Sequence, residues 1–328
     1  MQFELTEEQT MLLDALVAIT GEGAEPERCV DRYIADPALE EQLQDAGFFS
    51  LAQHGYSTLE AVLVAIGIGK LPVCVEAATS LLIGPLLPET VRRPIAIVRE
   101  TSAGETSVAV SGRSGSRAAR LATRPIRFLS GAHTLVILAD DQVSLVELQP
   151  EDVRACTTHY AYPYGVLVPA ALERAVVVDV PADELLRRYR LAIAAEITGA
   201  ADAALQRTLR QVKEREQFGK PIGAFQAVQH RLAMAATSVE ACRVLTLRAA
   251  DGGDAADAAA AAGYAQEMAR QLTFDLHQFS GAMGLTLEYP LHLWTYRIRA
   301  LQAESGGSQE QFAASVDLAW PPSKSRGE

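Results

Sequence analysis

No hydrophobic run in this chain reaches the roughly 18 residues that a helical membrane span needs. Cations are also scarce: 29 lysines and arginines stand against 41 acids, a net charge of −12. A non-specific nucleic-acid binder needs the opposite balance, so that class is excluded. The four cysteines, Cys29, Cys74, Cys156 and Cys242, form no Cys-x-x-Cys pair. Neither a zinc site nor a disulfide framework follows from them, and they read as isolated thiols with no metal site. The opening "MQFELTEEQTML" carries acids where a secretory signal would carry lysines, so the expected location is cytoplasmic, with no membrane partner. Only two tryptophans occur, Trp294 and Trp320, both in the last fifth of the chain.

What is present is an ordinary soluble composition, 49% hydrophobic and 21% charged over 328 residues, enough for two or three domains. Three textures follow one another. Residues 1–90 read as helical: Thr6 and Gln9 form a capping box ahead of Leu12, Leu13, Leu16 and Val17, and Ser57 caps a later helix. Residues 91–180 carry short β-rich runs such as "PIAIV", "TSVAV", "TLVILA", "VSLVEL" and "RAVVVDV", separated by turn signals. They predict a small domain of five to seven strands, with a hairpin at Asp140-Asp141-Gln142. In residues 181–318 long helices return. Ala201, Leu205, Leu209 and Val212 make one stripe, and Val228, Leu232, Ala235, Val239 and Cys242 a second. A third, alanine-rich helix suits close packing, and the natural product is a four-helix bundle. Residues 319–328 read as a tail.

Three passages then carry a resemblance. "FELTEEQTMLLDAL", "REQFGKPIGAFQAVQHRLAMAA" and "QFSGAMGLTLEYPLHL" resemble, in order, the first helix, the bundle signature and the Q-x-x-G-G-x-G-x-x-x-E-Y-P passage of the acyl-CoA dehydrogenase family, with Ala282 replacing the second glycine. The resemblance implies a mainly α fold with a small β middle domain: a helical N-terminal domain, a β-domain and a C-terminal four-helix bundle. It also implies FAD, an acyl-CoA substrate and an electron-transfer flavoprotein as electron acceptor. In that family the Arg-x-Gln-Phe-Gly end of a bundle helix reaches a neighbour's FAD. By resemblance Arg215 would meet the pyrophosphate, because a guanidinium offers planar, charge-assisted donors. Gln217 and Phe218 would line the same half of the cofactor, with Gln226 after the turn. Gln278 and Gly281 would meet the dinucleotide too, the glycine by close backbone approach. His230 reads as a bundle residue that packs or hydrogen-bonds.

Other family features are missing. The nearest match to the flavin loop T-E-P-x-A-G-S-D is "RETSAGETS", residues 99–107, which keeps Glu100, Ala103 and Gly104 but loses Pro, Ser and Asp. The family's catalytic glutamate falls on Ser305, and its alternative base position on Tyr189. Dehydrogenation needs a carboxylate within reach of the α-proton, and the nearest ones are Glu304 and Glu196. This pattern resembles the shortened subunits of heterotetrameric α2β2 dehydrogenases of steroid side chains, in which a homologous subunit supplies the flavin pocket and the base. Two rival readings stand beside it. One is a homotetrameric enzyme with a displaced base, Glu304 or Glu196. The other is a flavin-free scaffold or acyl-CoA-binding protein of the same fold.

Overall fold

The computed structural model describes residues 5–21, 26, 29–100, 121 and 123–321. Helices α1 (Glu7–Thr20), α2 (Pro37–Asp45), α3 (Thr58–Gly69) and α4 (Ala78–Leu82) come first. The expected capping box of Thr6 with Gln9 is formed, and the expected Ser57 cap is completed into a second box by Glu60, so orphan N–H groups at each start are satisfied by side chains. α3 is buried on nearly every face, because it lies between α1 on one side and the bundle on the other.

Seven short strands follow among the described residues. One sheet has the order β1-β3-β4-β7: Ile95–Arg99, Thr134–Leu138, Val143–Glu147 and Val176–Val178. The pair β1/β3 is parallel, and the others are antiparallel. A second sheet has the order β2-β6-β5: Ile126–Arg127, Tyr164–Leu167 and Val153–Cys156. The expected hairpin is present, with Ala139 N–H donating to the Gln142 carbonyl at 2.9 Å. The expected strand "TSVAV", most of "RETSAGETS" and residues 322–328 of the tail lie outside the described residues.

The bundle is built from α5 (Ala182–Glu214), α6 (Gln226–Ala250) and α7 (Ala255–Ser280). Its fourth side is two short helices, α8 (His292–Leu301) and α9 (Gly307–Ala319). The break between them falls where Ser305, Gly306 and Gly307 all have positive φ, a conformation that does not continue a helix. Both predicted stripes face inward, save that Leu209 and Val228 are only partly covered. His230 differs from expectation. It lies off the Val228–Leu232–Ala235 stripe and is exposed on α6 rather than packed.

One continuous apolar core joins the N-terminal helices to the bundle, while a smaller one fills the β-region. The joint between α3 and α5 is a backbone-to-backbone contact. A Cβ on Gly199 would stand 2.2 Å from the Ile66 carbonyl oxygen and 3.0 Å from the Gly69 Cα, so only glycine fits there. α8 closes the far end of α3: buried Arg297 donates to the carbonyls of Gly69, Leu71 and Val73, and the Trp294 indole N–H donates to Lys70 at 2.8 Å. A cation on the carbonyls that end a helix also complements its dipole.

Candidate functional site

The residues expected to grip a dinucleotide stand at one end of the bundle. α5 ends at Glu214, and Arg215 begins a tight hairpin of β8 (Glu216–Gln217) and β9 (Lys220–Pro221). Both central residues have positive φ, Phe218 at 55° and Gly219 at 78°, the pattern of a turn that normally holds Asn-Gly. A phenylalanine in that first position is strained. It is also 92% exposed, and its ring meets the Phe225 ring edge-on, 6.1 Å between centroids. Lys220 Nζ lies 4.4 Å from the centre of the Phe225 ring, which completes a cationic, aromatic projection. Gln217 and Gln226 are exposed, the first on the hairpin and the second opening α6.

The chain returns to this place 63 residues after Arg215, at Gln278. α7 ends at Ser280 and Gly281 has φ 66°. A Cβ on Gly281 would stand 3.6 Å from Arg215 Nη1, so the arginine of one passage lies against the glycine of the other. Gln278 and Gly281 line a cleft of about 820 Å³ together with Arg270, Arg299, Phe274 and Tyr296. No acid lines it among the described residues. His277 holds its wall. The ring sits between the Gly284 carbonyl, 2.7 Å from Nδ1, and the Thr295 hydroxyl, 2.9 Å from Nε2. Burial lowers its pKa below 6.5, against the Gly284 hydrogen bond, so the ring is neutral at pH 7 and Nδ1–H donates to Gly284.

The two base positions of the family meet elsewhere, between the second sheet and the bundle. Tyr189 on α5 donates its hydroxyl to Glu304 at 2.6 Å. Ser305 is buried, and its hydroxyl and carbonyl both receive Arg99 Nη1, at 3.1 and 3.2 Å. Glu196 is buried too, receiving Arg127 Nη1 at 2.9 and 3.2 Å and the Tyr162 hydroxyl at 2.6 Å. Arg127 Nε reaches Glu304 at 3.7 Å, so one guanidinium serves both carboxylates. Burial penalises the Arg127 charge, but Glu196, and after it Tyr162 and Glu304, outweigh that and raise its pKa further. Burial, and then the neighbouring carboxylate, push the Tyr162 and Tyr189 hydroxyls well above their ordinary range, which keeps both as donors.

Sequence reasoning named Glu196, Glu304, Tyr189 and Ser305 but missed the residue that organises the carboxylates. The signal for Arg127 was available: it is the charged member of "PIRFL", an otherwise apolar strand segment, and a charge in such a place must find partners.

Residues 181–314 match the family model described as acyl-CoA dehydrogenase, C-terminal domain. Among curated proteins, the mitochondrial short/branched chain specific acyl-CoA dehydrogenase of Rattus norvegicus is 39% identical over 111 residues, 32% of this chain and 26% of that protein. The chain spans about a quarter to a third of the length of the curated relatives it matches, 26% and 34% in two of them. Solved structures are alike over nearly the whole chain. The ChsE4-ChsE5 complex from Mycobacterium tuberculosis has a TM-score of 0.74 at 22% identity, covering 98% of this chain and 100% of the other. A Tcur3481-Tcur3483 steroid ACAD has 0.72 at 21%, covering 95% and 98%. The protein therefore has the acyl-CoA dehydrogenase-like fold, and residues 181–314 are similar to the C-terminal domain of that family.

Proposed function

We propose that this chain is a subunit of a FAD-dependent acyl-CoA dehydrogenase, one that clamps the dinucleotide half of a cofactor shared with a homologous catalytic subunit in an α2β2 assembly. The observation that carries the reading is Phe218. A strained phenylalanine left 92% exposed beside Arg215 is costly in an isolated chain and is accounted for once a partner and its cofactor cover it. The donor set fits the group. Arg215, Arg270 and Arg299 supply cations for a pyrophosphate, Gln278 an amide, and Gly281 an approach that no Cβ obstructs.

When bound, FAD supplies the hydride acceptor for α,β-dehydrogenation of an acyl-CoA thioester. This chain's own residues bind and orient. Glu196 and Glu304 are spent on Arg127, Tyr162 and Tyr189, so neither is a free base for an α-proton. On this reading the base belongs to the partner subunit. The likeness to the ChsE4-ChsE5 complex and to a Tcur3481-Tcur3483 steroid ACAD supports a heteromeric partner and a steroid-derived acyl-CoA. An electron-transfer flavoprotein would receive the electrons.

The test is flavin stoichiometry by absorbance, for the chain alone and co-purified with its homologous partner. Little flavin alone and one FAD per heterodimer are expected. Arg215→Ala should weaken FAD retention by about 1.5–3 kcal/mol, the worth of one hydrogen bond to a charged group, and leave the reduction of retained flavin unchanged. One FAD per chain in isolation overturns the reading.

A further inference from the structure

A second cavity shares no lining residue with the clamp and lies where α1 rests on α3 and the bundle. Its volume is about 610 Å³, within the range of small-molecule sites. Its walls are apolar, supplied by Leu13, Leu16 and Val17 of α1, Leu63 and Ile66 of α3, and Leu247 of α6. Val17 keeps 46% of its surface in solvent, so apolar area here is uncovered. The charged side chains on the lining are Lys70 and Arg243, and no acid lines the cavity among the described residues. Both cations keep unspent donors among the described residues. There the Lys70 ammonium has one ion pair, to Asp202 at 2.7 Å, and Arg243 uses Nε and Nη2 on Glu240, at 2.9 and 2.6 Å. Thr20 spends its hydroxyl on the Leu16 carbonyl.

We infer that this cavity is a binding site for a long-chain amphipathic anion, whose alkyl body lies among the leucines while its acidic head accepts hydrogen bonds from Lys70 and Arg243. An apolar chamber whose charged lining groups are two cations, each paired with one acid yet keeping further N–H donors, matches a ligand that is alkyl at one end and an anionic acceptor at the other. A neutral alcohol would leave the cations less well served, and a short acid would leave the walls wet. The site is separate from the proposed dinucleotide clamp and does not depend on it.

Titration calorimetry of the full chain with decanoate and with 1-decanol, each below its aggregation limit, tests the inference. Saturable binding of one decanoate per chain is expected. Ala203→Phe adds bulk to the cavity wall and should weaken both ligands by at least about tenfold. Lys70→Gln with Arg243→Gln should weaken decanoate by about tenfold or more and 1-decanol by less than about twofold, a charge-assisted contact being lost only by the acid. The Lys70 and Arg243 side chains reach solvent, so that variant keeps the test open if Ala203→Phe folds poorly. No saturable binding, equal affinity for acid and alcohol, or full affinity in a folded Ala203→Phe would each overturn the inference. Decanoate that binds the isolated chain but is excluded from the complex would assign the cavity to a partner's side chains, and so overturn it too.

Discussion

Replacing Arg127 by methionine removes the one guanidinium that lies against both Glu196 and Glu304. Arg127 is 5% exposed and Glu196 7%, so the pair is largely shut off from solvent. Breaking a buried pair by deleting one partner typically costs about 3–5 kcal/mol, because an uncompensated charge is left behind. At about 2.1 cal/mol/K per residue, a chain of 328 residues loses roughly 0.7 kcal/mol per degree near its midpoint. The Arg127→Met protein should therefore melt about 4–7 °C lower by circular dichroism. The reasoning also sets the sign of a rescue. Adding Glu196→Gln and Glu304→Gln removes both stranded charges, and a neutral cluster of similar volume costs little. At least half of the lost stability should return in the triple variant. A fall of less than about 2 °C in Arg127→Met, or no recovery on neutralising both acids, would show that the cluster is not held by this charge.

Two further outcomes follow from the geometry. Gly199→Ala would gain about 0.5–1 kcal/mol in an unhindered helix, yet its Cβ would meet the Ile66 carbonyl at 2.2 Å. It should instead destabilise by about 1–3 kcal/mol in urea, as overpacking does, and a gain would refute the close α3–α5 contact. His277 titrates lower in the folded chain than its ordinary 6.5, so the stability it contributes is complete above pH 6.5 and is lost as the pH falls through the lowered value. Urea midpoints between pH 8 and 5 should fall more steeply in the wild type than in His277→Gln, and parallel slopes would contradict the buried neutral ring.

Helix starts were legible from short-range chemistry. Thr6 pairs with Gln9 over three residues as expected, and Ser57 caps its helix as expected, with Glu60 completing that box in the structure. The bundle stripes were legible for a similar reason, since a 3.6-residue period states which side is buried without saying what buries it. The type of strand was legible, but its partner was not. The parallel match of β1 with β3 and the division into two sheets depend on residues dozens of positions apart. Gly199 and His230 show the limit at single residues. The first was silent in the sequence, because its neighbours come from another helix, and the second was expected to pack or hydrogen-bond and is exposed, because it lies off the apolar stripe of α6.

By itself, then, the sequence determined which segments are helix or strand, which faces are apolar, and that Arg215 and Gly281 sit in passages of a recognisable kind. Tertiary structure alone decided that the Arg215 guanidinium lies against Gly281, that Phe218 stands in the solvent, and that Arg127 takes up both candidate carboxylates. The reason is physical. Propensity, capping and periodicity act over a few residues, whereas desolvation and charge pairing depend on which distant side chains share a small volume, and only the folded chain specifies that.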